Sequence, residues 1–294
     1  MAPAEHNDIR PPQVSVSSSP REEALERSFD RIVEDGRPRL QRGATDLLAT
    51  GATGGIEVAF GVLALLYVEN RTGNALLAGL AFSIGFIGLR LGHSELFTEG
   101  FLVPVTVVAA GEARVRDLIR MWLGTLVGNL AGGWLVAWLI DTAFPTLSRT
   151  ANDVGSYYVR SGINARTFAL SVLAGGAITL LTRMHNGTDS EPAKLIASVA
   201  IGFLLAGTRL FHSVLDSLLA FVALNTRHAP FGYGDWAVWL AWVVMGNALG
   251  GLLLTSTLRL VRSRGRLLDH RAANDRSTPD RAVASSDAGL TRDH

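Results

Sequence analysis

The chain has 294 residues, 48% of them apolar and 18% charged, with a formal net charge of +1 and a mean hydropathy of +0.26. That balance gives no case for nucleic acid or for an acidic partner, and the absence of cysteine excludes disulfides, thiolate metal sites and cysteine nucleophiles. The charges crowd into the ends and loops, leaving apolar runs near the ~20 residues that cross a hydrocarbon core, so an all-α membrane protein is expected.

Residues 1–43 read as a polar N-terminal extension. The first 18 are rich in Pro and Ser and are expected to be disordered. Ser19-Pro20 starts a helix over 20–35, with Leu25, Phe29, Ile32 and Val33 at helical spacing and Gly36 as its stop. This helix is expected to pack on the protein's own face, with the bilayer surface as the competing site. No signal-peptide apolar region precedes it, so the first membrane helix is expected to serve as the targeting signal.

The core, 44–262, divides into repeat one (44–141) and repeat two (166–262). Leu47–Val68 is the first span, with Gly51, Gly54 and Gly55 permitting close packing and Glu57 as a structural hydrogen-bonding partner. Ala75–Ala110 is too long for one crossing and is interrupted by Arg90, His93, Glu95 and Glu99, which predicts a broken helix. Met121–Ile140 is the third span, and 141–166 is a polar connection. Thr167–Thr182, Leu195–Asn225 and Trp236–Leu258 repeat the plan, the middle one interrupted by Arg209, His212 and Asp216. Residues 263–294 read as a disordered tail.

Two short motifs recur in the same order. Gly88-Leu89-Arg90-Leu91-Gly92-His93-Ser94 matches Gly207-Thr208-Arg209-Leu210-Phe211-His212-Ser213, and the stretch from Gly128-Asn129 to Gly133 matches that from Gly246-Asn247 to Gly251. The repetition indicates internal duplication. Three spans per repeat invert the second copy, placing a functional site near the midplane. Basic residues cluster at 37–42, 114–120 and 259–266, which puts both termini in the cytoplasm and the chain in the inner or plasma membrane.

Ionisable residues within spans default to functional sites. His212 is read as functional, since imidazole titrates near neutral pH and a protonated ring attracts an anion or donates a proton to it. Arg209, His212 and Asp216 would share a helix face, as would Glu95 with Glu99 and Arg90 with His93, with Thr98 beside the first break. Arg90 and Arg209 also read as clamps on the half-helices, with Glu95 and Asp216 as partners. Asn129 and Asn247 read first as satisfying neighbouring backbone. Nothing in the pattern calls for a cofactor or a metal.

At these residues the chain resembles the formate/nitrite transporter family. Ser94-Glu95-Leu96-Phe97-Thr98 is similar to that family's acidic-Leu-Phe-Thr signature, His212-Ser213-Val214 to its central His, and Asn247 with Gly250-Gly251 to its sixth-span motif. The resemblance implies six helices in an aquaporin-like 3+3 inverted repeat with spans two and five broken. It further implies a homo-pentamer with one pore per protomer for small monovalent anions such as formate, nitrite or a similar monocarboxylate. Thr98 would face His212, with Phe82, Phe86 and Leu96 at apolar constrictions. The chain departs from the pattern at Phe211, where a Glu usually stands, at Thr179 in place of an Asn, in the lack of an outer Lys between 150 and 166, and in Glu99 after Thr98. The competing functions are a neutral-solute pore, a non-conducting sensor, and an intramembrane hydrolase using Ser94 or Ser213. The last lacks any Gly-x-Ser-x-Gly or H-E-x-x-H.

Overall fold

A computed structural model describes residues 20–277, and every described regular element is helical. The expectations of disorder for 1–18 and for 278–294 lie outside the described residues.

Helix α1 (Pro20–Gln41) runs on through Gly36 and Pro38, past the expected stop. Gly36 is there for contact rather than termination. A Cβ at that position would lie 2.6 Å from Val107 Cγ2, so only glycine lets α1 cross so closely. Phe29, Ile32, Val33 and Leu40 are buried, so α1 packs on the protein itself.

Four helices are long and apolar enough to cross a membrane among the described residues. They are α2 (Ala44–Thr72), α5 (Val115–Ala143), α7 (Ala165–Asn186) and α10 (Tyr233–Leu249) with its π-helical extension Gly250–Thr257. The remaining two spans are broken. One is α3 (Ala75–Leu91), a 3-10 turn (Phe97–Phe101) and α4 (Val103–Ala109); the other is α8 (Glu191–Gly207) and α9 (Ser213–Asn225). Every residue of α9 from Ser213 to Ala223 is buried, Ser213, Asp216 and Ser217 included, so α9 is a central helix enclosed on all sides. Phe60, Ile84, Leu123, Trp138, Ile196 and Val238 instead point outward, a belt suited to lipid or to neighbouring subunits.

The halves α2–α3–α5 and α7–α8–α10 repeat one plan, with α3 and α8 packed together between them. Glycines make the close approaches. A Cβ on Gly55 would lie 2.0 Å from the Asn129 carbonyl oxygen, and one on Gly175 would lie 1.9 Å from that of Asn247.

The structural register of the repeat differs from that of the repeated heptapeptide. Helices α3 and α8 are both 17 residues long, and pairing them end on end matches His93 with Arg209 and Leu96 with His212. The backbone agrees, because His93 and Arg209 both sit at φ +53°. The heptapeptide matches Arg90 with Arg209, out of step by three residues. That is close to one helical turn, so the apolar pattern looks the same in either register.

Two further stretches are ordered where none was expected. The polar connection after α5 forms α6 (Ser148–Val159), which buries Ala151, Val154, Gly155 and Tyr158 and packs on α9. Past the short α11 (Leu258–Arg262), residues Arg264–Ser277 of the expected disordered tail form α12. Helix α12 returns to α1: Arg266 pairs with Asp30, and the His270 ring lies against Phe29. The face bearing α1 and α12 is called the terminal face below, and its opposite the distal face.

Candidate functional site

Both breaks follow one local scheme. After α3 and α8 the chain reaches a mouth of the core, turns through a left-handed residue (His93, Arg209), and re-enters the interior. Backbone polar groups at such depth need internal partners. An asparagine supplies them in each half. Asn129 accepts from the Phe97 N–H at 2.8 Å and donates to the carbonyls of Glu95 and Gly51, both at 2.8 Å. Asn247 accepts from the Ser213 N–H at 2.9 Å and donates to the carbonyls of Phe211 and Ser171 at 2.8 and 2.9 Å. Each asparagine therefore ties a break to the first helix of its own repeat.

These clasps centre on Leu96 and His212. A carboxylate takes the backbone N–H of each: Glu99 Oε2 accepts from Leu96 at 3.3 Å, and Asp216 Oδ2 from His212 at 2.7 Å. His212 completes a reciprocal cap on α9, since its Nδ1 accepts from the Leu215 N–H at 3.1 Å. That bond fixes the tautomer. With Nδ1 accepting, the ring proton is on Nε2, which donates to Thr98 Oγ1 at 2.9 Å. Thr98 and His212, both fully buried, thus meet between the two halves.

Several expected groupings are not formed. Arg209, His212 and Asp216 share no helix face, because the helix is broken between Gly207 and Ser213. Asp216 bonds the His212 backbone rather than its ring or Arg209. Glu95 and Glu99 are likewise separated by extended backbone at Leu96. Glu95 is held from outside the core, by Arg42 at 2.7 Å and Arg39 at 3.3 Å. The clamp partners of the arginines also differ from expectation. Arg90 grips Glu191 through Nε and Nη2 at 2.7–3.2 Å, and Arg209 reaches Glu69 at 2.8 Å while stacking over Tyr157. Each arginine thereby ties its broken helix to the other half of the molecule.

The site has a mouth on each face. On the terminal face a cavity of about 400 Å³ is lined by Arg39, Arg42, Arg90, His93, Glu95 and Glu99 among others, with Phe86, Leu96, Ile178 and Leu181 as its apolar part. On the distal face a cavity of about 260 Å³ holds Glu69, Asn70, Thr150, Asp153 and Arg209. Phe82 is buried 5.2 Å from the Phe86 ring. Phe211 lies under Tyr157, Tyr158 and Trp239, an aromatic group contributed mainly by α6 that sequence reasoning missed. The adjacent Tyr157-Tyr158 pair in the 141–166 connection was its only signal. Thr179 donates to the Gly175 carbonyl within its own helix, and Glu57 accepts from the Ser94 hydroxyl.

Comparison with known proteins agrees with this architecture. The sequence model described as formate/nitrite transporter matches residues 26–261. The chain is 26% identical to the inner membrane protein YfdC of Escherichia coli over 269 residues, covering 86% of this chain and 83% of that protein. It is 24% identical to a probable formate transporter of Methanothermobacter thermautotrophicus over 205 residues, 62% of this chain and 73% of that one. Among solved structures, an FNT family ion channel superposes with a TM-score of 0.73 at 19% identity, covering 79% of this chain and 96% of that one. A pentameric formate channel with formate bound gives 0.60 at 20% identity, covering 71% and 92%. With the family match running from α1 through all six spans, the chain belongs to the formate/nitrite transporter family.

Proposed function

We propose that each protomer conducts a small monovalent anion, with formate or nitrite as the substrate class, along a path from the terminal mouth past Thr98 and His212 to the distal mouth. The observation that carries this reading is the Thr98–His212 pair. Thr98 accepts the imidazole N–H and so keeps its own hydroxyl proton to offer an anion. His212 stands at the start of the 13-residue α9, whose positive dipole end faces the same point. Apolar side chains at Phe82, Phe86 and Leu96 admit only a small solute whose charge is compensated at the pair.

The tautomer bears on proton coupling. A neutral His212 that gave up its Nε2 proton would be left as an imidazolate. Donation of a full proton therefore requires Nδ1 to gain one, which breaks the bond to the Leu215 N–H and loosens the start of α9. In the closed arrangement His212 acts by hydrogen bonding, and proton transfer accompanies opening of this cap.

The terminal face carries Arg37, Arg39, Arg42, Arg114, Arg116, Arg120 and Lys194, and this basic cluster supports reading it as the cytoplasmic side of an inner membrane. The outward apolar belt is read as the contact surface of a homo-pentamer, the state of the formate-bound structural neighbour. The hydrolase reading has less support than transport, since Ser94 Oγ is bonded to Glu57 and Ser213 Oγ has no hydrogen-bond partner, so neither hydroxyl is paired with a histidine.

The test is flux into proteoliposomes of formate, acetate, nitrite, chloride and glycerol at external pH 5 and 7.5, beside His212→Ala. Saturable formate or nitrite flux that depends on His212 is expected. Glycerol flux alone would replace the anion pore with a neutral-solute pore, and no flux from folded protein would replace it with a sensor.

A further inference from the structure

Two of the chain's departures from the family's pattern meet in space. Phe211, which stands where a Glu is usual, packs against Tyr158 of the 141–166 connection, the stretch that lacks the outer Lys. The ring centroids lie 5.2 Å apart, edge to face at 69°. Phe211 immediately precedes His212 in the chain, and both Phe211 and Tyr158 are buried.

Tyr158 also borders the inner end of the distal mouth. Next to the 260 Å³ cavity lies a second one of about 10 Å³, lined by Leu65, Ala78, Val154, Tyr158 and Ala206, with Glu69 and Arg209 bordering both. That is room for about one water molecule. The path from the distal mouth toward the Thr98–His212 pair thus narrows at Tyr158. The side chain is 1% exposed, and no described residue hydrogen-bonds its hydroxyl. A buried phenol ordinarily finds a partner, so this one is a donor left for a ligand.

Helix α6 is pinned where it presents Tyr158 to Phe211. Asn70 of α2 donates to Thr150 Oγ1 at 2.9 Å, Thr226 donates to Asn152 Oδ1 at 3.1 Å, and Arg209 stacks over the neighbouring Tyr157 ring at 5.1 Å. The charges of the distal mouth do not themselves favour an anion. Arg209 is paired with Glu69 at 2.8 Å and Asp153 lies beside them, so in this lining one cation meets two acids. Selection at this end therefore falls to an uncharged group.

We propose that Tyr158 is the distal selectivity residue of the pore. Its ring, held on Phe211, limits the size of solute that passes between the distal mouth and His212. Its hydroxyl donates a hydrogen bond to an oxygen of the anion in transit. Formate and nitrite, with few heavy atoms and accepting oxygens, suit an opening near the size of one water; a monocarboxylate with a longer carbon chain does not.

This inference rests on the anion-pore reading, and its tests separate the two. Formate and lactate uptake are compared in proteoliposomes with the distal face outward, obtained by removing those that display an N-terminal tag. Tyr158→Ala should lower the formate-to-lactate ratio at least about tenfold. Tyr158→Leu repeats that test with a smaller void if Tyr158→Ala does not assemble. Tyr158→Phe keeps the ring, so the ratio should hold, while half-saturating formate rises about tenfold for the lost hydrogen bond to an anion. A wild-type ratio in Tyr158→Ala or Tyr158→Leu would overturn the size filter, and wild-type half-saturation in Tyr158→Phe would overturn the donor.

A second readout needs no transport. The chain has four tyrosines, so protein labelled with 13C-tyrosine gives few signals, and that of Tyr158 is assigned by its loss in Tyr158→Phe. Sodium formate is added, with sodium gluconate at equal ionic strength as the control. A formate-specific shift at Tyr158 with none at Tyr67, which is exposed on the outer surface, supports the contact, and identical spectra overturn it. Absence of flux in the wild type counts against the anion pore, and the titration then decides the Tyr158 contact by itself.

Discussion

Asn129 and Asn247 make the same three hydrogen bonds in opposite halves of the molecule, each joining both sides of a helix break to the helix that opens its repeat. Both are fully buried. Each satisfies one backbone N–H and two carbonyls that have no water to turn to, and the breaks exist at depth because these groups are served.

Replacing either asparagine by alanine orphans two buried backbone groups of the break, one N–H and one carbonyl, while the Gly51 or Ser171 carbonyl keeps its own helical bond. At about 1–3 kcal/mol per unsatisfied group, partly relieved by relaxation, a loss of roughly 2–4 kcal/mol is expected. The measurement is thermal unfolding in detergent, read by loss of the oligomer peak. Asn247→Asp keeps the acceptor for the Ser213 N–H but loses both donors, and should fall at least as low as Asn247→Ala. A variant melting with the wild type would show that the clasp carries no stability.

His212 has two tasks that one substitution can separate. Asparagine is a good N-cap and can replace Nδ1 as acceptor for the Leu215 N–H, but it is too short to reach Thr98. His212→Asn is therefore expected to unfold within about 1 kcal/mol of the wild type while its formate flux falls and its pH response changes. His212→Ala loses the cap as well, at a cost of about 1 kcal/mol. If His212→Asn conducts like the wild type, the Thr98–His212 contact is not the conduction site.

Gly55 and Gly175 allow α2 and α7 to touch the backbone of α5 and α10 at the two asparagines. A methyl group at either position would lie within about 2 Å of a carbonyl oxygen. Gly55→Ala and Gly175→Ala are expected to cost roughly 1–3 kcal/mol and to disturb the adjacent clasp. Gly234 has nothing within 4 Å of an added Cβ. Gly234→Ala is the control, expected to assemble normally.

His270 of α12 links three segments of the terminal face. Its Nδ1 lies 2.8 Å from Glu112 and its Nε2 3.1 Å from Asp30, with Arg37 also bound to Glu112 and Arg266 to Asp30. Burial lowers the imidazole pKa, but the bonds to Asp30 and Glu112 outweigh it and leave the pKa raised from its ordinary 6.5. A raised folded-state pKa means the protonated ring stabilises the docked α12. That contribution is complete below 6.5 and is lost as pH rises through the folded value. Hydrogen exchange of α12 should therefore be slow at pH 6 and faster, after correction for intrinsic rates, at pH 8.5. His270→Gln should remove the difference. Unchanged protection across that range would rule out the charged bridge.

Much of the architecture follows from local signals. Six spans, two of them broken, are legible because a span is a run of apolar residues and a break is a cluster of polar ones within it. Asn129, Asn247, Thr98 and His212 stand out in the chain because their motifs recur or interrupt apolar runs, and the structure brings Thr98 and His212 to 2.9 Å.

Tertiary structure decided the partners and the register. Arg90 and Arg209 were legible as clamps, but their acids, Glu191 and Glu69, lie in distant segments, and only the packing of α3 against α8 brings them into reach. Glu99 and Asp216 became caps because the backbone at Leu96 and His212 is extended, which a helical reading of their spacing does not anticipate. The heptapeptide suggested equivalent histidines, whereas the fold pairs His93 with Arg209, since a slip of three residues leaves an apolar helical pattern nearly unchanged while helix ends and backbone angles are not degenerate. Sequence thus determined what crosses the membrane and where it breaks, because those depend on local polarity. Which charges meet, and which mouth each residue serves, was fixed by contacts between segments far apart in the chain.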